Sequence, residues 1–144
     1  MAGRRVKAAR SQRSLQGTVV LDCEGLSGLL SDDPAIVALI AEARGRRMEI
    51  VISALTIIEA THRKTDRSRL SWLLSIIRVE AVDDACARAA SELLLAAGLH
   101  GHKYAIDAAV AEMAMRQPPP VIVMTSDPQD MHTLCGDAAR IISL

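Results

Sequence analysis

The chain has no phenylalanine, one tryptophan (Trp72) and one tyrosine (Tyr104) in 144 residues, although half of it is hydrophobic. Its core must therefore be built from Ile, Val, Leu, Ala and Met, which suits helices laid closely on a parallel sheet. The same lack argues against binding single strands by base stacking, which needs aromatic platforms. Cysteine is scarce and scattered: Cys23, Cys86 and Cys135 form no CxxC pair and no Cys/His cluster. That excludes a zinc module and fits a reduced, cytoplasmic protein. No apolar stretch approaches the roughly 18 residues a membrane span needs, and the basic N-terminus lacks the apolar run of a secretory signal. There is no Gly-x-Ser-x-Gly elbow and no Gly-x4-Gly-Lys-Ser/Thr phosphate loop, so a serine hydrolase and a phosphate-loop NTPase are set aside.

Net charge is zero, but it is unevenly spread. Arg4, Arg5, Lys7, Arg10 and Arg13 fall in residues 1–16 with no acid, leaving an acidic remainder. Residues 1–16 read as a flexible basic arm and 17–144 as a single domain. An acidic body is not the usual footprint of a duplex-binding protein. It does suit an enzyme that concentrates carboxylates around a divalent cation.

Apolar runs at Thr18–Leu21, Glu49–Ile52 and Val121–Met124 predict buried parallel strands, with two further strands at 78–82 and 139–143, the last at an edge. Between them, helical patterns are expected over 25–30, 34–44, 54–64, 67–77, 84–97, 104–116 and 128–135. His100 to Lys103 reads as a loop. Alternating strands and helices give an α/β fold with a mainly parallel sheet.

Four acids fall at related places in this pattern. Asp22 ends the first strand, and Asp127 follows the strand at Val121–Met124 after Thr125-Ser126. Glu59 lies in the second turn of the helix after the second strand, and Asp107 is expected in the first turn of its helix. Ligands in open α/β sheets sit beyond the carboxyl ends of the strands. Carboxylates gathered there repel unless some protonate or a cation sits between them. Oxygen donors without His or Cys favour Mg²⁺ or Mn²⁺, and helix N-terminal dipoles help keep the acids ionised. Each acid has an ordinary reading as well. An Asp after a strand is as often a turn or cap residue, and Glu59 alone is more ordinarily a solvated helix position. Asp107, among Tyr104, Val110, Ala111 and Ala114, needs a partner or an ion.

The segments Val20-Leu21-Asp22, Ser53-Ala54-Leu55-Thr56-Ile57-Ile58-Glu59, Tyr104-Ala105-Ile106-Asp107-Ala108-Ala109 and Thr125-Ser126-Asp127-Pro128-Gln129-Asp130 resemble, in order and spacing, the four acidic motifs of PIN domains. They look most like the VapC-type ribonuclease toxins of bacterial toxin–antitoxin pairs. The resemblance spans about Thr18 to Leu144. It implies a three-layer fold with a five-stranded, mainly parallel sheet, and RNA cleavage with Mg²⁺ or Mn²⁺. By the same resemblance Asp22, Glu59, Asp107 and Asp127 become the catalytic, metal-binding acids, with Asp130 a fifth candidate. Thr125 and Ser126 become candidates to orient a water or phosphate. A cognate antitoxin and a homodimer are the expected protein partners. Cys23-Glu24 departs from the family pattern after the first Asp: Cys23 reads as a packed thiol and Glu24 as solvated.

His102 and Lys103, just before Asp107, are either a polar loop or contacts to RNA phosphates. Arg63, Lys64, Arg67 and Arg69 form a basic run that is usually a solvated face, though phosphate binding uses these residue types. The Leu70–Ile77 stripe with Trp72 is either core or part of a dimer or antitoxin contact. The rival function is a non-catalytic PIN-like module that binds RNA or protein. A phospho-acceptor domain is weaker, because no Lys follows the last strand. Under the nuclease reading, Asp22→Asn and Asp107→Asn should each abolish cleavage with the fold intact.

Overall fold

A computed structural model describes residues 15–144; nearly all of the basic arm expected over 1–16 lies outside them. Five strands, β1 (Thr18–Leu21), β2 (Glu49–Ser53), β3 (Arg78–Glu80), β4 (Val121–Thr125) and β5 (Arg140–Ser143), form one sheet in the order β3-β2-β1-β4-β5. Every pairing is parallel. Seven α-helices are seen among the described residues: α1 (Cys23–Leu30), α2 (Pro34–Gly45), α3 (Ala54–Ala60), α4 (Arg67–Ile76), α5 (Asp84–Ala97), α6 (Gly101–Met115) and α7 (Pro128–Cys135).

The central strands alternate their side chains between two cores. Val19, Leu21, Ile50, Ile52 and Met124 join Leu26, Leu29, Ile36, Ile40 and Leu73 from α1, α2 and α4 on one face. Val20, Val51 and Val123 join Ala90, Leu94, Met113, Met131 and Leu134 from α5, α6 and α7 on the other. Both faces of β1, β2 and β4 are thus buried, which is why these strands read as unbroken apolar runs. Fully buried Ala108, Ala111 and Ala114 let α6 lie close to its neighbours without aromatic bulk.

The connection after β1 runs to β2 on one side, whereas β4 is added on the other side only after β3. The carboxyl ends of β1 and β4, in register at Leu21 and Met124, therefore flank the switch point where such folds form crevices.

Beyond shifts of a single residue, four boundaries differ from those expected. α1 begins at Cys23 because Asp22 itself caps it, accepting from the Gly25 N–H at 3.1 Å. α3 stops at Ala60 instead of continuing to Lys64, since Thr61 turns extended and the next residues bond to one another. β3 is three residues long, an edge strand with one paired side. Residues 101–103 are not a loop but the first turn of α6, so Asp107 falls in its second turn. Among the described residues no helix is long and apolar enough to cross a membrane.

Candidate active site

Asp22 is held by the backbone on both sides. One carboxylate oxygen receives the Gly25 N–H of α1; the other receives the Ser126 N–H at 2.9 Å and faces the Ser126 hydroxyl at 3.5 Å. The Asp22 N–H in turn donates to the Met124 carbonyl at 3.2 Å. A largely buried acid thereby stitches the ends of β1 and β4 together. The turn that carries Asp127 is shaped by Thr125, whose buried hydroxyl accepts the Asp127 N–H at 2.9 Å. Asp127 starts α7 without spending its side chain on a cap bond, so its carboxylate stays exposed at the sheet edge.

Asp107 is where the electrostatics concentrate. Partial burial, then Asp127, Glu59, Asp130 and Asp22 in that order, push its carboxyl up to about 6. The expected help from a helix N-terminus does not prevail here, because a second-turn position is past the reach of the end dipole. Glu59 is likewise raised by burial and by Asp22, Asp127 and Glu24, with its pairing to the Cys23 thiol working the other way. Asp107 thus feels the charges of acids carried by the end of β1, by α3 and by α7. Among the described residues, however, no three His, Cys, Asp or Glu side chains meet as a ready-made metal cage.

The neighbours sort themselves by placement. Burial and the surrounding Glu59, Asp22 and Glu24 push the Cys23 thiol up to about 12, so it stays protonated and inert at neutral pH. Glu24 is exposed on α1. His102 and Lys103 are exposed on the first turn of α6, with Lys103 Nζ lying 5.1 Å from the centre of the Tyr104 ring. Asp130 is half-buried on α7, one turn beyond Asp127.

No family model matches the chain, and no curated protein matches it. A solved structure of VapBC2 from Rickettsia felis, bound to a DNA fragment from the promoter, matches with a TM-score of 0.62. The match covers 88% of this chain and 98% of that one at 14% sequence identity. The fold is PIN-like. At that identity the likeness speaks for the three-layer architecture alone. In this fold Asp22 and Asp127 stand just beyond the carboxyl ends of β1 and β4.

The supporting contacts were less visible in the sequence than the acids. Ser126 contributes its backbone N–H to Asp22, a role no side-chain motif announces. Gly25 permits the approach of α1 to β1: a Cβ there would sit 3.0 Å from two side-chain atoms of Leu21. A glycine three residues after a strand-end acid was the available signal.

Proposed function

We propose that this chain is a Mg²⁺- or Mn²⁺-dependent endoribonuclease, the toxin of a toxin–antitoxin pair. The observation that carries the reading is that Asp107, already raised by burial, is raised further by Asp127, Glu59, Asp130 and Asp22 from separate elements, as Glu59 is by burial and then by Asp22, Asp127 and Glu24. A folded chain keeps such repulsion most readily where a bound cation relieves it. The donor set is all oxygen and hard, which fits Mg²⁺ or Mn²⁺. Asp22, Glu59, Asp107 and Asp127 would hold the ion, with Asp130 as a further acid within reach of Asp107. Such an ion supplies an activated water and stabilises the leaving oxygen of a phosphodiester.

The chain's own part is to position. Asp22 is fixed by two backbone N–H groups and serves as the rigid member. Asp107 is set by the packed α6, whose next seven residues are all buried. Asp127 is exposed and makes no cap bond, so it is free to adjust. Ser126 and the Thr125 turn hold the frame.

The antitoxin reading has a surface to go with it. Between α2 and α4 lies a groove of about 250 Å³, with Leu29, Ile40, Leu73 and Ile77 along its lining. Trp72, 56% exposed, and Ile76, 41% exposed, stand at this groove. Of the Leu70–Ile77 stripe, Leu73 and Ile77 are therefore core, and Trp72 and Ile76 are left for a partner.

The test is cleavage of total bacterial RNA by the purified, antitoxin-free chain with Mg²⁺, with Mn²⁺ and with EDTA, beside Asp107→Asn. Metal-dependent cleavage lost in the variant supports the nuclease. The open spacing of the acids favours one rival, a non-catalytic PIN-like module that binds RNA or protein. No cleavage of any RNA class by a folded, metal-loaded chain would select that rival.

A further inference from the structure

Of the basic run after α3, Lys64 lines a second cavity, and nothing in the acid site uses it. The loop 61–66 faces the second half of α1 across a groove of about 210 Å³, walled by Ser27, Ser31, His62, Lys64 and Thr65 over an apolar floor. The loop is braced by its own bonds. The His62 N–H donates to the Thr65 hydroxyl at 2.8 Å, the Thr65 N–H donates to the His62 carbonyl at 3.0 Å, and the Lys64 N–H donates to His62 Nδ1 at 3.1 Å. With Nδ1 accepting, the neutral ring carries its proton on Nε2, a donor available to a ligand. Asp66 also lines the groove, but one of its oxygens is committed to the Arg69 N–H at the start of α4. Arg69 is itself engaged with Asp32 and the Leu29 carbonyl. Arg63, Lys64 and Arg67 form no ion pair among the described residues. Cation and neutral donors thus outnumber the one acid.

The position matters as much as the chemistry. Ser27 is one helical turn, about 6 Å of rise, beyond Cys23 on α1, and α1 packs against α3, the helix that carries Glu59. On the other wall, Ala60 directly follows Glu59. The groove therefore opens beside the acid edge on the side of Glu59.

We propose that this groove is a phosphate-positioning subsite, in which Lys64, His62 and Ser27 hold a backbone phosphate of an RNA strand next to the one at the acids. The inference rests on the ribonuclease reading for its ligand and supplies the cations that the acidic edge lacks. Phosphate contacts of this kind fix register without reading sequence.

The test is binding of a mixed-sequence single-stranded RNA oligonucleotide to the full chain in EDTA, followed by fluorescence anisotropy across a salt titration. Lys64→Gln should weaken binding several-fold at low salt and reduce the log–log salt slope by about 0.7, the loss of one phosphate contact on a single strand. Lys64→Glu should weaken it further. Arg88→Gln, which removes an exposed charge on α5, should leave both quantities unchanged. Equal effects of the Lys64 and Arg88 variants, no effect of either Lys64 variant, or no binding by the parent at low salt would overturn the subsite. Lys64-dependent binding without cleavage in Mg²⁺ or Mn²⁺ would keep the subsite and remove the nuclease. Cleavage with Lys64-independent binding would do the reverse.

Discussion

The Ser126 N–H donates to one oxygen of Asp22 at 2.9 Å across 104 residues of sequence, while the other oxygen caps α1 through Gly25. Asp22 is thus both a candidate metal ligand and the tie between β1, β4 and α1. An amide at this position must turn an N–H₂ donor toward one of two backbone donors. Asp22→Asn is therefore expected to abolish cleavage and also to cost about 1–2 kcal/mol, in the range of a lost cap or an unmet buried bond. The isosteric change is therefore expected to cost stability, where the sequence alone implies an intact fold. Urea unfolding followed by circular dichroism measures it, and a variant as stable as the parent would show that these bonds contribute nothing net.

Asp107 should behave in the opposite way. Its folded value of about 6 lies above the ordinary 3.8, so the folded chain binds the proton more tightly than the unfolded chain. The stability this contributes is fully present below pH 3.8 and is lost as pH rises through about 6. Asn cannot ionise, so Asp107→Asn should be more stable than the parent at pH 7, by at most about 3 kcal/mol before solvent screening is allowed for. The gain should shrink steadily toward pH 4. A gain that is the same at pH 4 and pH 7 would mean that neither burial nor the neighbouring acids raise Asp107.

Cation binding follows from the same charge. A ligand must be ionised to bind, so metal affinity and proton loss are linked. Mn²⁺ affinity, measured by electron paramagnetic resonance of the free ion, should rise between pH 5 and pH 7 in the parent. In Asp107→Asn it should be at least tenfold weaker and flatter with pH. Saturating Mn²⁺ should also raise the parent's melting temperature in a concentration-dependent way. Equal binding by parent and variant would take Asp107 out of the ligand set.

How much of this was legible depends on what each residue's neighbours demand. β1, β2 and β4 are buried on both faces, so their apolar runs announce them with little ambiguity. Edge strand β3 pairs on one side only, and the expected 78–82 shortens to Arg78–Glu80. The early end of α3 is set by bonds among His62, Lys64 and Thr65, which compete with the helix and leave no periodic trace. α6 starts at Gly101 without a side-chain cap on His100, so the usual start signal is missing. Asp22 and Asp127 stood out because each follows a strand and Asp107 because its helix neighbours are largely apolar, whereas Glu59 stood out only in conjunction with these and through the resemblance. The groove beside them was not, because it joins α1 to a loop more than thirty residues away.

Gly25 offers a test of whether the frame around the acids matters apart from their charge. A Cβ at this position would lie 3.0 Å from both Cβ and Cδ2 of Leu21, and Leu21 is fully buried at the end of β1. To admit the methyl, Leu21 or α1 must give by a few tenths of an ångström, at an overpacking cost of about 1–3 kcal/mol against a gain of about 1 kcal/mol for Ala over Gly within a helix. Moving α1 also pulls the Gly25 N–H from Asp22, so the rigid acid loses one of its anchors. Gly25→Ala should therefore lower stability and also reduce cleavage by more than the fraction unfolded explains. Activity at a temperature where the variant is fully folded separates the two effects. Full activity there, despite a lowered melting temperature, would mean that the site tolerates a displaced α1 and that Ser126 alone is enough to hold Asp22.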